Sequence, residues 1–263
     1  MNAKIVALLL VVSFLLPLPG AGFAAPSSKK GPSQSDDQKS TELGMAGIQK
    51  ANMGQYDQAL TYLDASIKAS PKNSNALLNR ARVYLIQGKY DKAVSDLDKA
   101  LKLDPNQDES YMTRGMAYRL IGDFPRAVKD FTKAVNLDGS NTQALINRAA
   151  VFFDTGEHEN ALQDLDRIIE LNPRMISALG NRAFIYEQLG RYDEAIKDLG
   201  TIMAQDSNNL MAIKHLGFIS RRKGDLSKSL RWYKMALPLE TDAGLKKKIQ
   251  EEIGEIERKM AAN

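Results

Sequence analysis

A glycine returns at an interval of 34 residues through most of this chain, and this period restricts the fold more than any other feature. The recurring glycines are Gly54, Gly88, Gly122, Gly156, Gly190 and Gly224. A large side chain stands two residues after each glycine, and an alanine or serine stands five residues after it. Six periods in phase, without an insertion, indicate that one small structural unit is stacked repeatedly.

Each period has the pattern of two α-helices joined at the glycine. Apolar residues recur at helical spacing on both sides of it, and glycine supplies the left-handed backbone conformation that ends a helix. The alanine or serine lets the two helices approach closely, and a large apolar residue four positions later continues the buried stripe. The predicted units are residues 40–73, 74–107, 108–141, 142–175, 176–209 and 210–243.

The recurring glycine, aromatic, small and apolar positions resemble the tetratricopeptide repeat family. The resemblance implies an all-α fold, a right-handed α-solenoid of six repeats that each consist of two antiparallel helices. It also implies a concave groove, made mostly by the first helix of each repeat, that binds a peptide or a partner protein. No cofactor and no catalytic activity are implied.

The last twenty residues, 244–263, predict an amphipathic capping helix. Its apolar positions follow one another at steps of three or four: Leu245, Ile249, Ile253, Ile256 and Met260. The other faces carry both lysines and glutamates, whereas a membrane-surface helix has a uniformly basic polar face. We therefore expect this helix to cover the open end of the sixth repeat.

An arginine occupies an otherwise apolar face of the first helix in the four middle repeats. Each is followed sixteen residues later by an aspartate, which gives Arg80 and Asp96, Arg114 and Asp130, Arg148 and Asp164, and Arg182 and Asp198. The outer repeats lack both residues, with Ala46 before Tyr62 and Leu216 before Trp232. Because an unpaired buried charge is costly, the pattern predicts internal ion pairs. The alternative is that the arginines grip an acidic ligand.

The resemblance also implies which first-helix residues line the groove. The candidates are Leu78, Asn79, Arg82, Met112, Met116, Arg119, Ile146, Asn147, Phe153, Asn181, Phe184, Phe218 and Arg221. The three asparagines share one position and are expected to hold the backbone of an extended peptide, beside a broadly apolar lining. The alternative is that several of these side chains are packed between first helices. The residues of the subclass that clamps C-terminal carboxylates are absent.

The N-terminus has the three-part pattern of a secretory signal peptide: a lysine, an apolar run over residues 5–16, and a small-residue region. We expect cleavage after Ala24, since Gly22 then stands at the −3 position, and the alternative is an uncleaved anchor. Residues 25–39 are rich in serine, proline and lysine and are predicted to form a disordered linker. Export of a chain that has no cysteine favours a bacterial periplasm.

The net charge is only +4, and basic and acidic residues are mixed along the chain, so no nucleic-acid partner is predicted. One local basic excess, Lys214 to Arg231, is expected to be a solvated end or a contact for an anion.

Enzyme motifs are absent, and His215 has no acidic neighbour in sequence. The sequence therefore favours an exported scaffold or adaptor. A periplasmic chaperone or assembly factor is the alternative, and an enzyme with an unrecognised site is a remote one.

Overall fold

The computed structural model describes residues 34–262, and these residues form thirteen α-helices without a strand. The helices are α1 (Gln34–Asn52), α2 (Tyr56–Ala69), α3 (Ser74–Ile86), α4 (Tyr90–Leu103), α5 (Asp108–Ile121), α6 (Phe124–Leu137), α7 (Thr142–Asp154), α8 (His158–Leu171), α9 (Ile176–Gln188), α10 (Tyr192–Gln205), α11 (Leu210–Arg222), α12 (Leu226–Leu239) and α13 (Ala243–Ala261). Odd-numbered helices from α1 to α11 are the first helices of the six repeats, and even-numbered helices are the second. The predicted all-α repeat fold is confirmed.

Helix α1 begins before the predicted start of the first repeat. It starts at Gln34, so the prediction of a disordered linker is wrong for residues 34–39. Ser40 is buried and exchanges hydrogen bonds with Ser66 on α2, which anchors the helix. Once a helix is anchored, each added turn forms its own backbone hydrogen bonds at little further cost, and Asp36 and Asp37 suit the positive end of the helix dipole. The predicted cleavage site and the rest of the linker lie outside the described residues.

The six recurring glycines all adopt the left-handed conformation that their spacing predicted. Their φ angles lie between 70° and 89°, and each stands between the first and second helix of its repeat. A Cβ atom at any of them would meet no neighbouring atom within 4 Å, so backbone conformation and not space selects glycine here.

Close packing selects a different glycine within each of two first helices. Phe131 on α6 is fully buried, and a Cβ atom on Gly115 of α5 would lie 2.8 Å from its ring. Gly217 on α11 faces the ring of Tyr233 on α12 in the same way. The glycine thus makes room for an aromatic residue on the second helix of the same repeat.

The described residues group into two compact units, 34–161 and 162–262. In the first unit, the core is formed where first and second helices of a repeat meet, around fully buried residues such as Leu63, Leu97 and Phe131. In the second unit, Leu199 and Ile202 on α10 pack with residues of α9 and α11.

Helix α13 belongs to the second unit and packs against α12. Ile249, Ile253 and Ile256 are buried in one cluster with Tyr233 and Ala236, as the amphipathic pattern predicted. Met260, which continues the same stripe in sequence, is exposed. The cap therefore covers the sixth repeat with its first three turns, and its last turn extends beyond the apolar contact.

Candidate functional site

Bidentate ion pairs join the two helices of single repeats in the first unit. Arg80 on α3 donates from Nε and Nη2 to the two carboxylate oxygens of Asp96 on α4, both at 2.7 Å. Arg114 on α5 makes the same pair of contacts with Asp130 on α6, at 2.7 and 2.8 Å. Each aspartate side chain is only 5% exposed, so these pairs lie in the interior between the helices.

The same arrangement recurs within the second unit. Arg182 on α9 donates to both carboxylate oxygens of Asp198 on α10, at 2.8 and 2.6 Å. The structure therefore brings together the predicted partners Arg80 and Asp96, Arg114 and Asp130, and Arg182 and Asp198.

A second carboxylate holds each of these arginines, and the sequence reasoning missed it. The remaining guanidinium nitrogen, Nη1, donates to an aspartate sixteen residues earlier, on the second helix of the preceding repeat. These contacts are Arg80 with Asp64 at 2.7 Å, Arg114 with Asp98 at 2.6 Å, and Arg182 with Asp166 at 2.7 Å. The earlier aspartates are about half exposed. Each arginine thus ties its own repeat to the one before it, and we call these contacts the arginine ladder.

The ladder changes at the fourth repeat. Arg148 Nη1 donates to Thr132 Oγ1 at 3.0 Å, and Thr132 stands where the other repeats have Asp64, Asp98 and Asp166. Asp164 belongs to the second unit and Arg148 to the first, so their pairing stays a prediction.

The ladder ends before the sixth repeat, at a position where the earlier aspartate is also missing from the sequence. Gly200 stands at the position of Asp166 one repeat later, and the following first helix has Leu216 in place of an arginine. The arginine is thus absent where both of its carboxylates are absent. Searching sixteen residues before each arginine, and not only after it, would have found this.

The ladder arginines stabilise the packing of the helices, and their guanidinium groups are not available to bind a ligand. Hydrogen bonds from Arg114 to Asp130 raise the pKa of that guanidinium above its ordinary value, although burial opposes the shift. Nε, Nη1 and Nη2 all donate to aspartates of the chain itself. The alternative in which these arginines bind an acidic ligand is therefore not supported.

Most of the predicted groove lining is buried. In the first unit this applies to Leu78, Asn79, Met112, Ile146 and Asn147, and in the second to Asn181 and Phe184. The expectation of a broadly apolar exposed lining is therefore wrong for these residues. The physical reason is that large side chains at these positions fill the space between packed helices, as the alternative interpretation stated.

Part of the first-helix surface of the first unit remains accessible. Met116 and Arg119 on α5 and Phe153 on α7 are half-buried. Arg119 contacts Asp154 on α7 at 3.0 Å, which links neighbouring first helices across this surface. We call the surface formed by Met116, Arg119 and Phe153, with the largely buried Arg82 at its edge, the first-helix face.

Arg82 lies at the α3 side of the first-helix face. It contacts Glu109 on α5 at 3.3 Å. Burial lowers the pKa of its guanidinium, and the nearby carboxylate of Glu109 compensates in part. The charged groups of this face are thus arranged as pairs between adjacent first helices, with Met116 and Phe153 as its apolar part.

A row of buried polar side chains lies beside this face, at one position in three consecutive first helices. Thr113 donates to the carbonyl of Glu109 at 2.6 Å, and Asn147 donates to the carbonyl of Gln143 at 2.8 Å. The side-chain oxygen of Asn79 is buried and has no hydrogen-bond partner among residues 34–262. Since an unsatisfied buried acceptor costs free energy, stability does not explain an asparagine here.

In the second unit, a buried pair occupies two first helices. His215 Nδ1 on α11 lies 2.6 Å from Glu187 Oε2 on α9, and the two side chains are 5% and 1% exposed. The ring of Phe184 stands edge-on to the imidazole. The statement that His215 lacks an acidic neighbour holds for the sequence and is wrong for the structure, because helix packing brings residues 28 positions apart into contact.

The local basic excess in the second unit is largely neutralised by contacts within the chain. Lys214 contacts Glu240 at 3.0 Å, Arg221 contacts Glu252 and Glu255 on the capping helix, and Lys223 contacts Asp193. Phe218, the other predicted lining residue of α11, lies under the guanidinium of Arg222. Arg221 thus ties the cap to the sixth repeat, which favours the interpretation of this region as a solvated end.

Among residues 34–262, no helix combines the length and the apolar character needed to cross a membrane. The same residues also contain no group of three or more histidine, aspartate or glutamate side chains placed to hold a metal ion.

Fold and site together define a helical repeat protein stabilised by interhelical ion pairs. Two family models, both described as tetratricopeptide repeat, match the sequence: one over residues 45–108 and 112–176, the other over residues 149–214. Together they cover more than half of the chain. The protein belongs to the tetratricopeptide repeat family. No curated protein matches the sequence significantly.

Solved structures with the same fold include three that differ in their degree of similarity. MamA is 27% identical, with 61% of this chain and 94% of that chain covered and a TM-score of 0.57. YrrB, a tetratricopeptide protein with an unusual peptide-binding site, is 22% identical, with 72% and 97% covered and a TM-score of 0.61. The pilF protein of Pseudomonas aeruginosa is 15% identical, with 83% and 99% covered and a TM-score of 0.69. The last two show the fold alone.

Proposed function

We propose that this protein is an exported, non-enzymatic scaffold that binds an extended peptide or a segment of a partner protein along the first-helix face. The observation that carries the proposal is the buried side-chain oxygen of Asn79, which lies beside that face and has no hydrogen-bond partner among residues 34–262. Buried polar groups reduce stability unless they are satisfied, whereas amides beside an accessible surface suit the hydrogen-bonding groups of a peptide backbone.

The class of protein supports the same function. Solenoids of stacked helical repeats present extended surfaces that bind other proteins, and YrrB provides an example of peptide binding in this fold. The half-buried Met116 and Phe153 supply apolar contact, and the pairs of Arg82 with Glu109 and Arg119 with Asp154 supply a polar rim.

Site-specific crosslinking tests the proposed site. A photocrosslinking amino acid is placed at Met116 in the chain produced in its host, and the same amino acid is placed at Asn136, which is exposed on the second helix α6. We expect one discrete crosslinked partner from position 116 and none of that mass from position 136. Arg119→Glu should abolish the product at position 116, because the new carboxylate would face that of Asp154 and repel it, which disrupts the rim.

The outcome at position 116 also separates the two binding classes. One dominant crosslinked product supports the scaffold, whereas many weak products of different mass support the chaperone alternative. Identical products from positions 116 and 136 would show that the first-helix face is not the binding site. Phe184 is unsuitable for such a test, because it is buried and its substitution would disturb packing.

Export is the second part of the proposal, and the N-terminal signal pattern supports it. We expect the protein recovered from the periplasmic fraction to begin at Ala25, as read by N-terminal sequencing. Replacing Ala24 by aspartate should leave a precursor that is larger by 24 residues, since a charged residue at the cleavage position is not processed. Recovery of an intact N-terminus from the wild-type protein would favour the uncleaved anchor.

A further inference from the structure

The ladder contact between consecutive repeats of the first unit is not uniform. At the first two junctions, Asp64 and Asp98 accept a hydrogen bond from a ladder arginine at 2.7 and 2.6 Å. At the junction between the third and fourth repeats, the acceptor is the hydroxyl of Thr132, which lies 3.0 Å from Nη1 of Arg148. A carboxylate attracts the guanidinium as an ion, whereas a hydroxyl offers only its dipole. This junction therefore has the weakest ladder contact of the first unit.

Two polar contacts hold α7 to the first helix α5 of the preceding repeat. Asn141, at the start of α7, donates from Nδ2 to Asp108 at 3.0 Å, and Asp154, at the end of α7, is paired with Arg119. Because these contacts lie at opposite ends of α7, they define an axis. Around this axis α7 stays attached to α5 while its distance from the second helix α6 changes.

The contact of α7 with α6 is largely apolar. Ala144 and Val151 on α7 are fully buried in one cluster with Phe131 on α6. Apolar attraction has no preferred direction, so these side chains tolerate a small rotation without losing their burial. An ion pair resists the same rotation, because its attraction falls as the distance between the charges grows. The hydroxyl of Thr132 supplies no such restraint.

The first-helix face spans this same junction. Met116 and Arg119 belong to α5, and Phe153 belongs to α7. A rotation of α7 against α6 therefore changes the spacing of Met116 and Phe153, which are the apolar part of the face. At the preceding junction, the carboxylate of Asp98 restrains the corresponding movement of α5 against α4.

We propose that Thr132 makes the junction between the third and fourth repeats the most easily deformed one of the first unit, so that the first-helix face adjusts its width to a bound segment. The role in binding rests on the proposed function of this face, whereas the deformability does not. A partner that contacts one width of the face better than another shifts α7 toward that position.

Hydrogen exchange followed by mass spectrometry tests the deformability in the full chain. The Thr132→Asp variant supplies the missing carboxylate, and aspartate and threonine have similar helix propensities. We expect exchange of the α7 amides to slow by roughly two- to fivefold, which is the effect of one exposed ion pair. Asp98→Thr is the reciprocal variant, and it should accelerate exchange of the α5 amides by a similar factor.

The Thr132→Asn variant is the matched control, since asparagine has nearly the shape of aspartate without its charge. We expect exchange of its α7 amides to match the wild type. Equal slowing in Thr132→Asn and Thr132→Asp, or no slowing in Thr132→Asp, would overturn the proposal.

Crosslinking tests the role in binding separately. With the photocrosslinking amino acid at position 116, Thr132→Asp should lower the yield of the discrete product, because apparent affinity falls with the population of the binding-competent state. An unchanged or higher yield, together with slowed exchange, would overturn the role in binding. Absence of a discrete product from the wild type would contradict the proposed function, and the exchange rates would still decide the deformability.

Discussion

The Asp130→Ala variant is expected to lose about 3 kcal/mol of unfolding free energy, the lower end of the range for breaking a buried ion pair. Asp130 accepts two hydrogen bonds from Arg114 and is almost fully buried. Without it, the guanidinium keeps a charge in the interior and loses its bidentate partner. The loss stays at the lower end because Asp98 still accepts from Nη1. Urea denaturation followed by circular dichroism measures the difference.

The Asp98→Ala variant provides a control on the same arginine. Asp98 is 46% exposed, and exposed ion pairs contribute less than about 1 kcal/mol. We therefore expect Asp98→Ala to be at least twofold less destabilising than Asp130→Ala. Equal effects of the two substitutions, or a denaturation curve of Asp130→Ala that matches the wild type, would contradict the assignment of Asp130 as the interior partner.

The His215→Ala variant should destabilise the second unit by about 3–5 kcal/mol, the range for removing one member of a buried pair. Glu187 is 1% exposed, so loss of the imidazole leaves its carboxylate in the interior without this partner. Trp232 is the only tryptophan of the chain and lies on α12 in the same unit. Its fluorescence during urea denaturation therefore reports the stability of this unit directly.

A double substitution separates the cost of an orphaned charge from the cost of lost packing. Replacing both Glu187 and His215 by leucine leaves no buried charge, and such replacements are often neutral or stabilising. We expect the double variant to be more stable than His215→Ala by about 2 kcal/mol or more. If the double variant is instead the less stable of the two, the contribution of this pair is packing and not charge compensation.

The fold was largely predictable because its signal is repeated. The glycine period places the helix boundaries in every repeat, and six in-phase occurrences leave little room for another architecture. The boundary that was wrong, at residues 34–39, lies where only one copy of the pattern exists. The start of α1 depends on the anchoring contact between Ser40 and Ser66, which no other repeat has.

The candidate site was less predictable, because position in a repeat specifies the direction of a side chain and not its exposure. Asn79 and Phe184 occupy positions that the family resemblance assigns to the groove, and both are buried. Met116 occupies the same repeat position as Phe184, and both Met116 and Arg119 are partly accessible. Exposure depends on the bulk of the residues on neighbouring helices, and a single repeat pattern does not contain that information.

By itself, the sequence determined the repeat and one carboxylate for each of Arg80, Arg114 and Arg182, because these depend on residues at fixed intervals. Only the tertiary structure decided which groups share an environment. It brought a second aspartate to each of Arg80, Arg114 and Arg182, and it paired His215 with Glu187. The physical reason is that charge compensation acts over a few ångströms in space, and packing of helices from different repeats sets those distances.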